Sequence, residues 1–382
     1  MKNNKMSAIF SNQHEYKELK PLTDERSLST LAFAGKYRLM DFPLSSIVNA
    51  GINNVYALIN QEKVRSYFDH LGGGKEWGLD TIGSYQYIDF YQKIIQRQVS
   101  GEPYFADIIE FLKTTSYPYA VFIGNKMVGN FDLQSVLHYH QENGNKITGV
   151  FKKVKHDSLA FDDQVFVLDN NNNILANQQM MDTQKQFEYN LSLNIYIANT
   201  DWILKQLEKA QMSDSTADIS KLLAALAAKY RSTAYEYTGY LRNIRDIKSY
   251  FDANMDMLDQ KQFASLLQGN QKVITRIRNE VGNYYSAGSI VKNSIFGTGC
   301  RVFGEVKHSV ISRRVEIDKN SWVLNSIVMS SVNIKKGAHV EYAILDKDVT
   351  IEAGVTIKGT LEKPIVIRKY DDVNDDWIRN RG

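Results

Sequence analysis

The chain has 382 residues, of which 43% are hydrophobic and 23% are charged, and its formal net charge is +3 at pH 7. These values are typical of a globular protein long enough for two domains, and no basic run indicates binding to nucleic acid or an anionic membrane. The N-terminal stretch MKNNKMSAIFSNQ lacks a signal-peptide core, and no apolar stretch approaches the ~20 residues of a membrane helix. We therefore expect a cytoplasmic protein. Cys300, the single cysteine, excludes an internal disulfide and a Cys-rich zinc site.

Predicted strands and helices alternate in the first two thirds of the chain. Two apolar runs closed by asparagine, NNVYALIN (53–60) and YPYAVFIGN (117–125), predict buried strands. Helical periodicity is found in FDLQSVLHYHQENG (131–144), DWILKQLEKAQ (201–211) and ADISKLLAALAAKY (217–230). This α/β alternation predicts parallel βαβ units in a three-layer sandwich, which we place at residues 1–258.

Apolar residues recur with a 17-residue period in the last part of the chain. They follow steps of 6, 6 and 5: Ile311, Ile317, Val323, then Val328, Ile334, Val340, then Leu345, Ile351, Ile357. One inward residue per face and three faces per coil explain these steps, so the pattern predicts a triangular parallel β-helix at residues 290–382, after a linker at 259–289. An earlier coil, SIFGTGCRVFGEVKH (294–308), is two residues shorter. The segment 365–382 is expected to cover the last coil.

The stretch AGKYRLMDFPLSSIVNAGINNVYALIN (34–60) closely resembles a signature of bacterial ADP-glucose pyrophosphorylases. PLT (21–23), YFDANMDML (250–258) and the β-helix coils also match, so the resemblance covers nearly the whole chain. It implies a Rossmann-like nucleotidyltransferase domain of the GT-A type followed by a left-handed parallel β-helix of hexapeptide-type coils. It also implies a tetramer that acts on ATP and glucose 1-phosphate with Mg²⁺.

The nucleotide loop of that family is absent from this chain. Active members have a Gly-rich loop whose backbone N–H groups approach the triphosphate, whereas FSNQHEYKELKPLT (10–23) contains no glycine. By ungapped counting from Pro21, Glu18 stands at the family's Arg position, and Glu15 adds a second negative charge. Leu28 stands at the position of a lysine that neutralises phosphate charge in the family.

The resemblance also implies that the metal carboxylates are lost. Asn125 and Asn130 stand at the two aspartates of the family segment G-D-H-x-Y-x-M-D-Y, and Asn243 stands at the aspartate of W-R-D-V-G. Mg²⁺ is normally held by one or two carboxylates together with substrate phosphates. Asparagine keeps the shape and one oxygen of aspartate but loses the charge.

The substrate side of the family pattern is only partly kept. The family's sugar-phosphate motif E-K-P is not recognisable in ILANQQMMD (174–182). The substrate-side pattern A-S-M-G-I-Y becomes LSLNIY, which keeps Ser192 and Tyr196 and replaces the glycine with Asn194. Ser192 is therefore expected to be a remnant of substrate binding.

These departures together predict a catalytically inert chain. It resembles the GlgD-type, non-catalytic subunit class of the family, whose implied role is to assemble with a catalytic subunit in a hetero-oligomer, expected to be a tetramer, and to change its activity. This chain itself would then need no cofactor, and Mg²⁺ would act only in the catalytic partner.

Three basic residues match by position the effector pocket of the family: Arg26, Arg38 and Lys347. Glu25 falls where another lysine would be. Converging cations suit a phosphorylated sugar or a nucleotide phosphate, so we expect a weakened or altered effector site. Ordinary surface or inter-domain ion pairs are the alternative interpretation.

Other functions stay open at this point. An active pyrophosphorylase could use displaced acids, Asp132 or Asp246, which follow the lost carboxylate positions. A β-helix acyltransferase could use His308 or His339 as general base. A purely structural tetramer stabiliser would leave the kinetics of its partner unchanged.

Overall fold

The structure is a computed structural model that describes residues 5–11, 15–183, 186–213 and 216–379. The described residues form two compact units, one from the stretches 1–14, 40–243 and 270–274, the other from 15–39, 244–269 and 275–382. The domain boundaries expected from the sequence, at residues 258 and 289, stay a prediction beside this grouping of contacts. Contacts between segments far apart in sequence decide the grouping, and local sequence patterns do not reveal such contacts.

The strands before residue 244 are short and mostly buried. They are β1 (Met6–Ser11), β2 (Ala32–Phe33), β3 (Tyr37–Arg38), β4 (Asn54–Ile59), β5 (Tyr85–Phe90), β6 (Tyr119–Ile123), β7 (Met127–Val128), β8 (Ile147–Val154), β9 (Gln164–Leu168), β10 (Ile174–Gln179), β11 (Tyr189–Asn199), β12 (Tyr235–Glu236) and β13 (Arg242–Asn243).

The helices are α1 (Asp41–Asn49), α2 (Val64–Leu71), α3 (Tyr91–Ser100), α4 (Ala106–Thr115), α5 (Leu133–Glu142), α6 (Thr200–Met212), α7 (Ile219–Lys229), α8 (Ile247–Met255) and α9 (Gln260–Leu267). Helices α5, α7, α8 and α9 each begin after an aspartate whose carboxylate accepts backbone N–H groups of the first turn. Among the described residues, no helix combines the length and the apolar character needed to cross a membrane.

The central sheet of the first unit has the order β10-β9-β11-β6-β1-β4-β5, and β8 pairs with β11 and β12. Strands β6, β1, β4 and β5 are parallel, as predicted. The other half departs from the prediction, since β11 is antiparallel to β6, β8 and β9. Strands β9 and β10, which a short turn joins, are also antiparallel to each other.

Alternate residues of the central sheet pack on opposite faces. Ala8 and Phe10 of β1 contribute to one buried cluster together with residues of α1 and α5. Ile9 contributes to a second cluster together with residues of α4, α6 and α7. The first unit therefore has helices on both faces of its sheet, which confirms the predicted three layers.

The strands after residue 283 form three parallel sheets. They are β14 (Tyr284–Tyr285), β15 (Ile290–Lys292), β16 (Ile295–Phe296), β17 (Arg301–Val302), β18 (Glu305–Lys307), β19 (Val310–Ile311), β20 (Glu316–Ile317), β21 (Trp322–Leu324), β22 (Ile327–Val328), β23 (Asn333–Ile334), β24 (His339–Glu341), β25 (Ala343–Leu345), β26 (Thr350–Ile351), β27 (Thr356–Lys358), β28 (Ile365–Ile367), β29 (Asp372–Val373) and β30 (Trp377–Ile378). The sheets are β14-β17-β20-β23-β26-β29, β15-β18-β21-β24-β27-β30 and β16-β19-β22-β25-β28, the three faces of a coil.

The predicted inward positions of the coil are confirmed. Ile311 pairs with Val328, and Val328 pairs with Leu345, so each coil repeats the preceding one in register. The same holds for the other two faces. All nine predicted residues are at most 1% exposed.

The corners of the coil also repeat with the 17-residue period. His308, Asn325 and Tyr342 occupy one corner with φ of +46°, +45° and +47°. A residue in the left-handed conformation turns the chain sharply within a single position, so that two short strands can meet at an angle. Because the chain turns after each strand, every strand of the β-helix is only two or three residues long.

The segment that was expected to cover the last coil instead adds a further coil. Strands β28, β29 and β30 extend the three sheets, with Ile367 beside Leu345 and Val373 beside Ile351. Residues 359–364 lie between β27 and β28 and lengthen this coil, which breaks the 17-residue period and hid the repeat from the sequence pattern.

One outer face of the β-helix is covered inside the second unit. Val310, Ile327 and Ile344 alternate with inward residues, yet they are at most 2% exposed. Residues from the 15–39 stretch pack there, since a Cβ on Gly35 would lie 3.0 Å from the carbonyl oxygen of Ile311. This packing explains why 15–39 groups with the coils.

Candidate functional site

Two asparagines at the implied metal positions come close together in the first unit. Asn125 follows β6, Asn243 ends β13, and both are buried. Strand β13 pairs antiparallel with β7, so that Asn243 lies opposite Met127, close after Asn125 in the chain. The fold thus joins two positions that are far apart in sequence.

Lysine and aspartate side chains complete this buried cluster. Lys126 Nζ lies 2.6 Å from Asp163 Oδ1, and the pair is 5% and 3% exposed. Asn243 Nδ2 donates to Asp163 Oδ2 over 2.6 Å, and the backbone N–H of Ala160 donates to the same oxygen over 2.7 Å. Lys126 Nζ is also 3.5 Å from Asp162 Oδ1. We call Lys126, Asp163 and Asn243 the buried triad.

The buried triad does not fit a divalent cation. Asp163 already balances an ammonium group and accepts two N–H groups. A dication beside Lys126 Nζ would be repelled by it in a site of low dielectric. Within the described stretches, no group of three or more His, Cys, Asp or Glu side chains is arranged to hold a metal ion.

The third asparagine at an implied metal position, Asn130, supports the backbone. Its Nδ2 donates to the carbonyl oxygen of Gln271 over 2.6 Å. Its own carbonyl oxygen accepts the hydroxyl of Tyr237 over 3.3 Å. These contacts give Asn130 a structural role within the first unit.

Ser192 and Tyr196 lie at an irregularity of β11, with their hydroxyl oxygens 2.8 Å apart. Burial raises the pKa of the Tyr196 phenol. Between them, Asn194 has a φ of +54°, and its Oδ1 is buried without a hydrogen-bond partner. The left-handed backbone explains the glycine of the resembled pattern, and asparagine tolerates this conformation better than most residues.

The displaced acids are both used as helix caps. Asp132 Oδ1 accepts the backbone N–H groups of Gln134 and Ser135, each over 3.1 Å, at the start of α5. Asp246 Oδ1 accepts the backbone N–H of Ser249 over 2.7 Å in a capping box at the start of α8. Each carboxylate therefore has a structural function already.

The residues that replace the nucleotide loop place two carboxylates in the part that is described. Glu15 and Glu18 are exposed, and Glu18 belongs to a short 3₁₀ turn, Lys17–Leu19. Leu28 is 3% exposed and packs as a core residue. Residues 12–14 of this stretch lie outside the described residues.

The predicted effector residues come together in the second unit. Arg26 Nη2 donates to both oxygens of Asp346, over 2.7 and 2.9 Å, and the pair is almost fully buried. Arg38 Nη1 donates to the carbonyl oxygen of Thr30 over 2.7 Å. We call Arg26, Arg38 and Lys347 the Lys347 cluster.

Lys347 is the residue of this cluster whose pKa is strongly shifted. Burial, followed by the positive charges of Arg38 and Arg26, lowers the pKa of Lys347 to about 7. Asp346 opposes this shift, and Lys369 adds to it. A lysine with such a pKa changes its charge near neutral pH.

The sequence analysis missed two charged residues at this cluster. Asp346 directly precedes Lys347 and neutralises Arg26, so adjacency in sequence was an available signal. Lys369 pairs with Glu25 over 2.9 Å. It follows β28, which lies beside β25, so only a correct prediction of the last coil could have placed it.

The two histidines considered for acyl transfer lie exposed on the β-helix. His308 Nδ1 is 3.0 Å from Asn325 Oδ1 at a corner. His339 stacks on Trp322 with ring centroids 4.6 Å apart. Cys300 is buried, and burial raises the pKa of its thiol.

Two family models match the chain. The model described as nucleotidyl transferase matches residues 17–260, and the model described as GlmU-like, C-terminal hexapeptide matches residues 281–363. Together with the three parallel sheets, the second match confirms the predicted left-handed parallel β-helix.

Individual relatives align along nearly the whole chain. Glycogen biosynthesis protein GlgD of Bacillus subtilis (strain 168) is 30% identical over 371 residues, 97% of each chain. Glucose-1-phosphate adenylyltransferase of Bacillus cereus is 27% identical over 352 residues, 89% of this chain and 91% of its own. The enzyme of the same name from Clostridioides difficile (strain 630) is 27% identical over 363 residues, 92% of each chain. The chain therefore belongs to the nucleotidyl transferase family, among the relatives that include GlgD and the glucose-1-phosphate adenylyltransferases.

Proposed function

We propose that this chain is a regulatory, catalytically inert subunit of a glucose-1-phosphate adenylyltransferase of glycogen biosynthesis. The complete enzyme would convert ATP and glucose 1-phosphate to ADP-glucose and pyrophosphate. A catalytic partner subunit would carry out the reaction and would hold Mg²⁺. The names of the relatives support this assignment of pathway and reaction.

The buried triad is the observation that carries the proposal. At positions where catalytic members of the resembled family have metal carboxylates, this chain has Asn125 and Asn243 beside the ion pair of Lys126 with Asp163. The ammonium group supplies a fixed positive charge inside the protein. A dication at this position would lie beside that ammonium group and would be repelled by it.

Phosphoryl-type transfer makes this substitution severe. Catalysis there depends on positioning and on cations that stabilise phosphate charge. Loss of one electrostatic contact typically costs ~10²–10³ in rate, and this chain lacks the metal carboxylates and the Gly-rich loop together. Restoring the metal carboxylates alone would therefore still leave the chain without the Gly-rich loop.

The Lys347 cluster supports a regulatory role. Arg26 pairs with Asp346 and Lys369 pairs with Glu25, whereas burial and the positive charges of Arg38 and Arg26 lower the pKa of Lys347. The cluster thus keeps positive charge that an anion would stabilise. A phosphorylated sugar or a nucleotide is the proposed effector.

The first coil supports assembly with another subunit. Tyr285 and Val291 occupy inward positions of β14 and β15, beside Val302 and Val306, yet they are 45% and 38% exposed. In the part of the chain that the structure describes, this coil end also leaves β14, β15 and β16 as the edge strands of their three sheets. We propose that the β-helix of the catalytic partner covers this end.

Kinetics of the mixed enzyme test the proposal. A catalytic glucose-1-phosphate adenylyltransferase subunit should be titrated with this chain while ADP-glucose formation is followed with and without phosphorylated sugars. We expect a change in kcat or in effector response that saturates at a fixed ratio. A purely structural stabiliser would raise the thermal stability of the complex and leave these kinetics unchanged, which would contradict the regulatory role.

A further inference from the structure

One sheet of the β-helix, β15-β18-β21-β24-β27-β30, presents two straight columns of side chains. Its strands β18, β21, β24 and β27 are parallel and in register. The middle residues of β18, β21 and β24 are at most 1% exposed, so the residues on either side of them point outward. We call these outward residues the Trp322 face; they are Glu305, Trp322 and His339 in one column and Lys307, Leu324 and Glu341 in the other.

The centre of the Trp322 face is apolar. Trp322 is 46% exposed, and the half-buried Leu324 lies beside it on the same strand. The Trp322 ring stacks on the His339 ring, with centroids 4.6 Å apart and planes 8° apart. Stacking holds the indole in place before a partner arrives, so little side-chain entropy is lost on binding. Exposed tryptophans at the centre of a surface are typical of the residues that dominate binding at protein interfaces.

Ion pairs flank this apolar centre on both sides. Lys307 pairs with Glu305 in the preceding coil, and Lys358 Nζ lies 2.9 Å from Glu341 Oε2 in the coils that follow. All four side chains keep part of their surface exposed, from 21% to 55%. An apolar centre with a charged rim is the usual composition of a protein–protein interface.

The two columns are complementary to each other. A two-fold axis that runs parallel to the stack of coils would place the first column of one copy over the second column of another copy. Glu305 of each copy would then meet Lys307 of the other copy. Trp322 of each copy would meet Leu324 of the other. Two glutamates and two lysines would thus alternate around the axis beside an apolar contact, which makes the face complementary to itself.

We propose that the Trp322 face binds a second copy of this chain, with the two β-helices parallel and related by this two-fold axis. Sheets that pack face to face lie about 10 Å apart, a gap that side chains of this length span. The six strands of the sheet, spaced ~4.8 Å apart, extend over about 24 Å. A surface of this extent is small for a specific interface, so the dimer is weak, with a dissociation constant in the micromolar range. The contact joins like subunits and goes beyond the proposed contact with a catalytic partner at the first coil.

Sedimentation equilibrium of the full chain alone, over a wide range of concentrations, tests this surface. The wild-type chain is expected to show a monomer–dimer equilibrium. Trp322→Ala should weaken dimerisation at least about tenfold, because it removes the central side chain from both copies. Its thermal unfolding temperature should stay close to that of the wild type, since the side chain is 46% exposed. The control Tyr284→Ala removes an aromatic side chain that is 55% exposed on another sheet, and it should dimerise as the wild type does.

Charge reversal tests the two-fold axis itself. Glu305→Lys would set lysines against lysines across the axis, and Lys307→Glu would set glutamates against glutamates. Each single variant should therefore dimerise at least about tenfold more weakly. The double variant Glu305→Lys/Lys307→Glu restores opposite charges and should recover dimerisation. An equimolar mixture of the two single variants should recover it too, because the lysines of one variant then meet the glutamates of the other.

Three results would overturn the proposal. They are a wild-type chain that stays monomeric at every concentration, a Trp322→Ala variant that dimerises as the wild type does, and charge-reversed pairs that remain as weak as the single variants. A monomeric wild type would leave this face to a different molecule. None of these results decides the proposed subunit role, because the chain can regulate a catalytic partner whether or not it pairs with itself.

Discussion

Lys126 supplies the positive charge of the buried triad, and its removal should lower the stability of the first unit. Replacing Lys126 with Met leaves the Asp163 carboxylate buried beside an amide and a backbone N–H, without its cation. Removal of one partner of a buried ion pair costs ~3 kcal/mol or more, so the free energy of unfolding should fall by about 3 kcal/mol. Urea denaturation measures this change.

A double variant separates this charge effect from the loss of packing. Lys126→Met/Asp163→Asn also removes the orphaned carboxylate. It should recover part of the lost stability. A double variant as unstable as the sum of the two single variants would show that the pair is not coupled.

Substitution of Asn194 is expected to increase the free energy of unfolding. Its backbone is left-handed and its Oδ1 is buried without a partner. Asn194→Gly removes both unfavourable features and should raise the free energy of unfolding by about 1 kcal/mol. Asn194→Ala removes the oxygen but keeps a Cβ at positive φ, so it should gain clearly less. Equal effects in urea denaturation would rule out backbone strain as a cause.

Lys347 should make anion binding depend on pH. Its pKa of about 7 in the folded chain means that its positive charge is lost as the pH rises through neutrality. Sulfate keeps its charge across this range, so its affinity should be high near pH 5.5 and should fall towards pH 8.5, values set about one and a half units on either side of that pKa.

The matched variant for this test is Lys347→Arg, since arginine stays charged at these pH values. It should bind sulfate with a nearly flat pH profile. A profile that falls as steeply in Lys347→Arg as in the wild type would assign the pH dependence to another group.

Among the elements, the short coil explains one glycine. The stretch between Val302 and Val306 is shorter than its equivalent in the next coil, between Ile317 and Val323. It brings Gly304 so close that a Cβ would lie 2.5 Å from the carbonyl oxygen of Ser321.

Gly304→Ala should therefore lower the free energy of unfolding by about 2 kcal/mol, because the coil must shift to admit the methyl group. Gly288→Ala, near the first strands of the β-helix, meets nothing within 4 Å and should be nearly neutral. Thermal unfolding of both variants checks this pair, and similar melting temperatures would contradict the crowding.

Periodic elements could be predicted from sequence, and interrupted ones could not. The inward residues from Ile311 to Ile357 follow one period, because stacked coils repeat the same corner and the same face. Residues 359–364 interrupt the period, so the coil ending at Ile378 was mistaken for a cover. The antiparallel half of the sheet was missed because hydrophobic runs report burial and not strand direction.

The candidate site was predictable only where residue identity carried the signal. Asn125 and Asn243 could be identified by comparison with a known pattern. The pairing of Lys126 with Asp163 could not be predicted in this way. The two residues precede different strands, β7 and β9, and no local sequence pattern links them. Which charged side chains meet depends on the three-dimensional fold, and the sequence pattern does not give those contacts directly.

At the scale of the whole molecule, a conserved architecture carries an altered site. The central sheet and the β-helix match family models, whereas Asn243, at an implied metal position, is bonded within the buried triad. The Lys347 cluster lies in the second unit and the triad lies in the first. We infer that the scaffold is kept for assembly and ligand binding, while catalysis belongs to a partner.

Formation of ADP-glucose by the purified chain alone is the most direct test of this account. The assay contains ATP, glucose 1-phosphate and Mg²⁺, with a catalytic relative as positive control. We predict a rate at the background of the assay, unchanged in Asp132→Ala and Asp246→Ala. A clear Mg²⁺-dependent rate that either substitution abolishes would contradict the account, since it would mean that neighbouring carboxylates hold the metal.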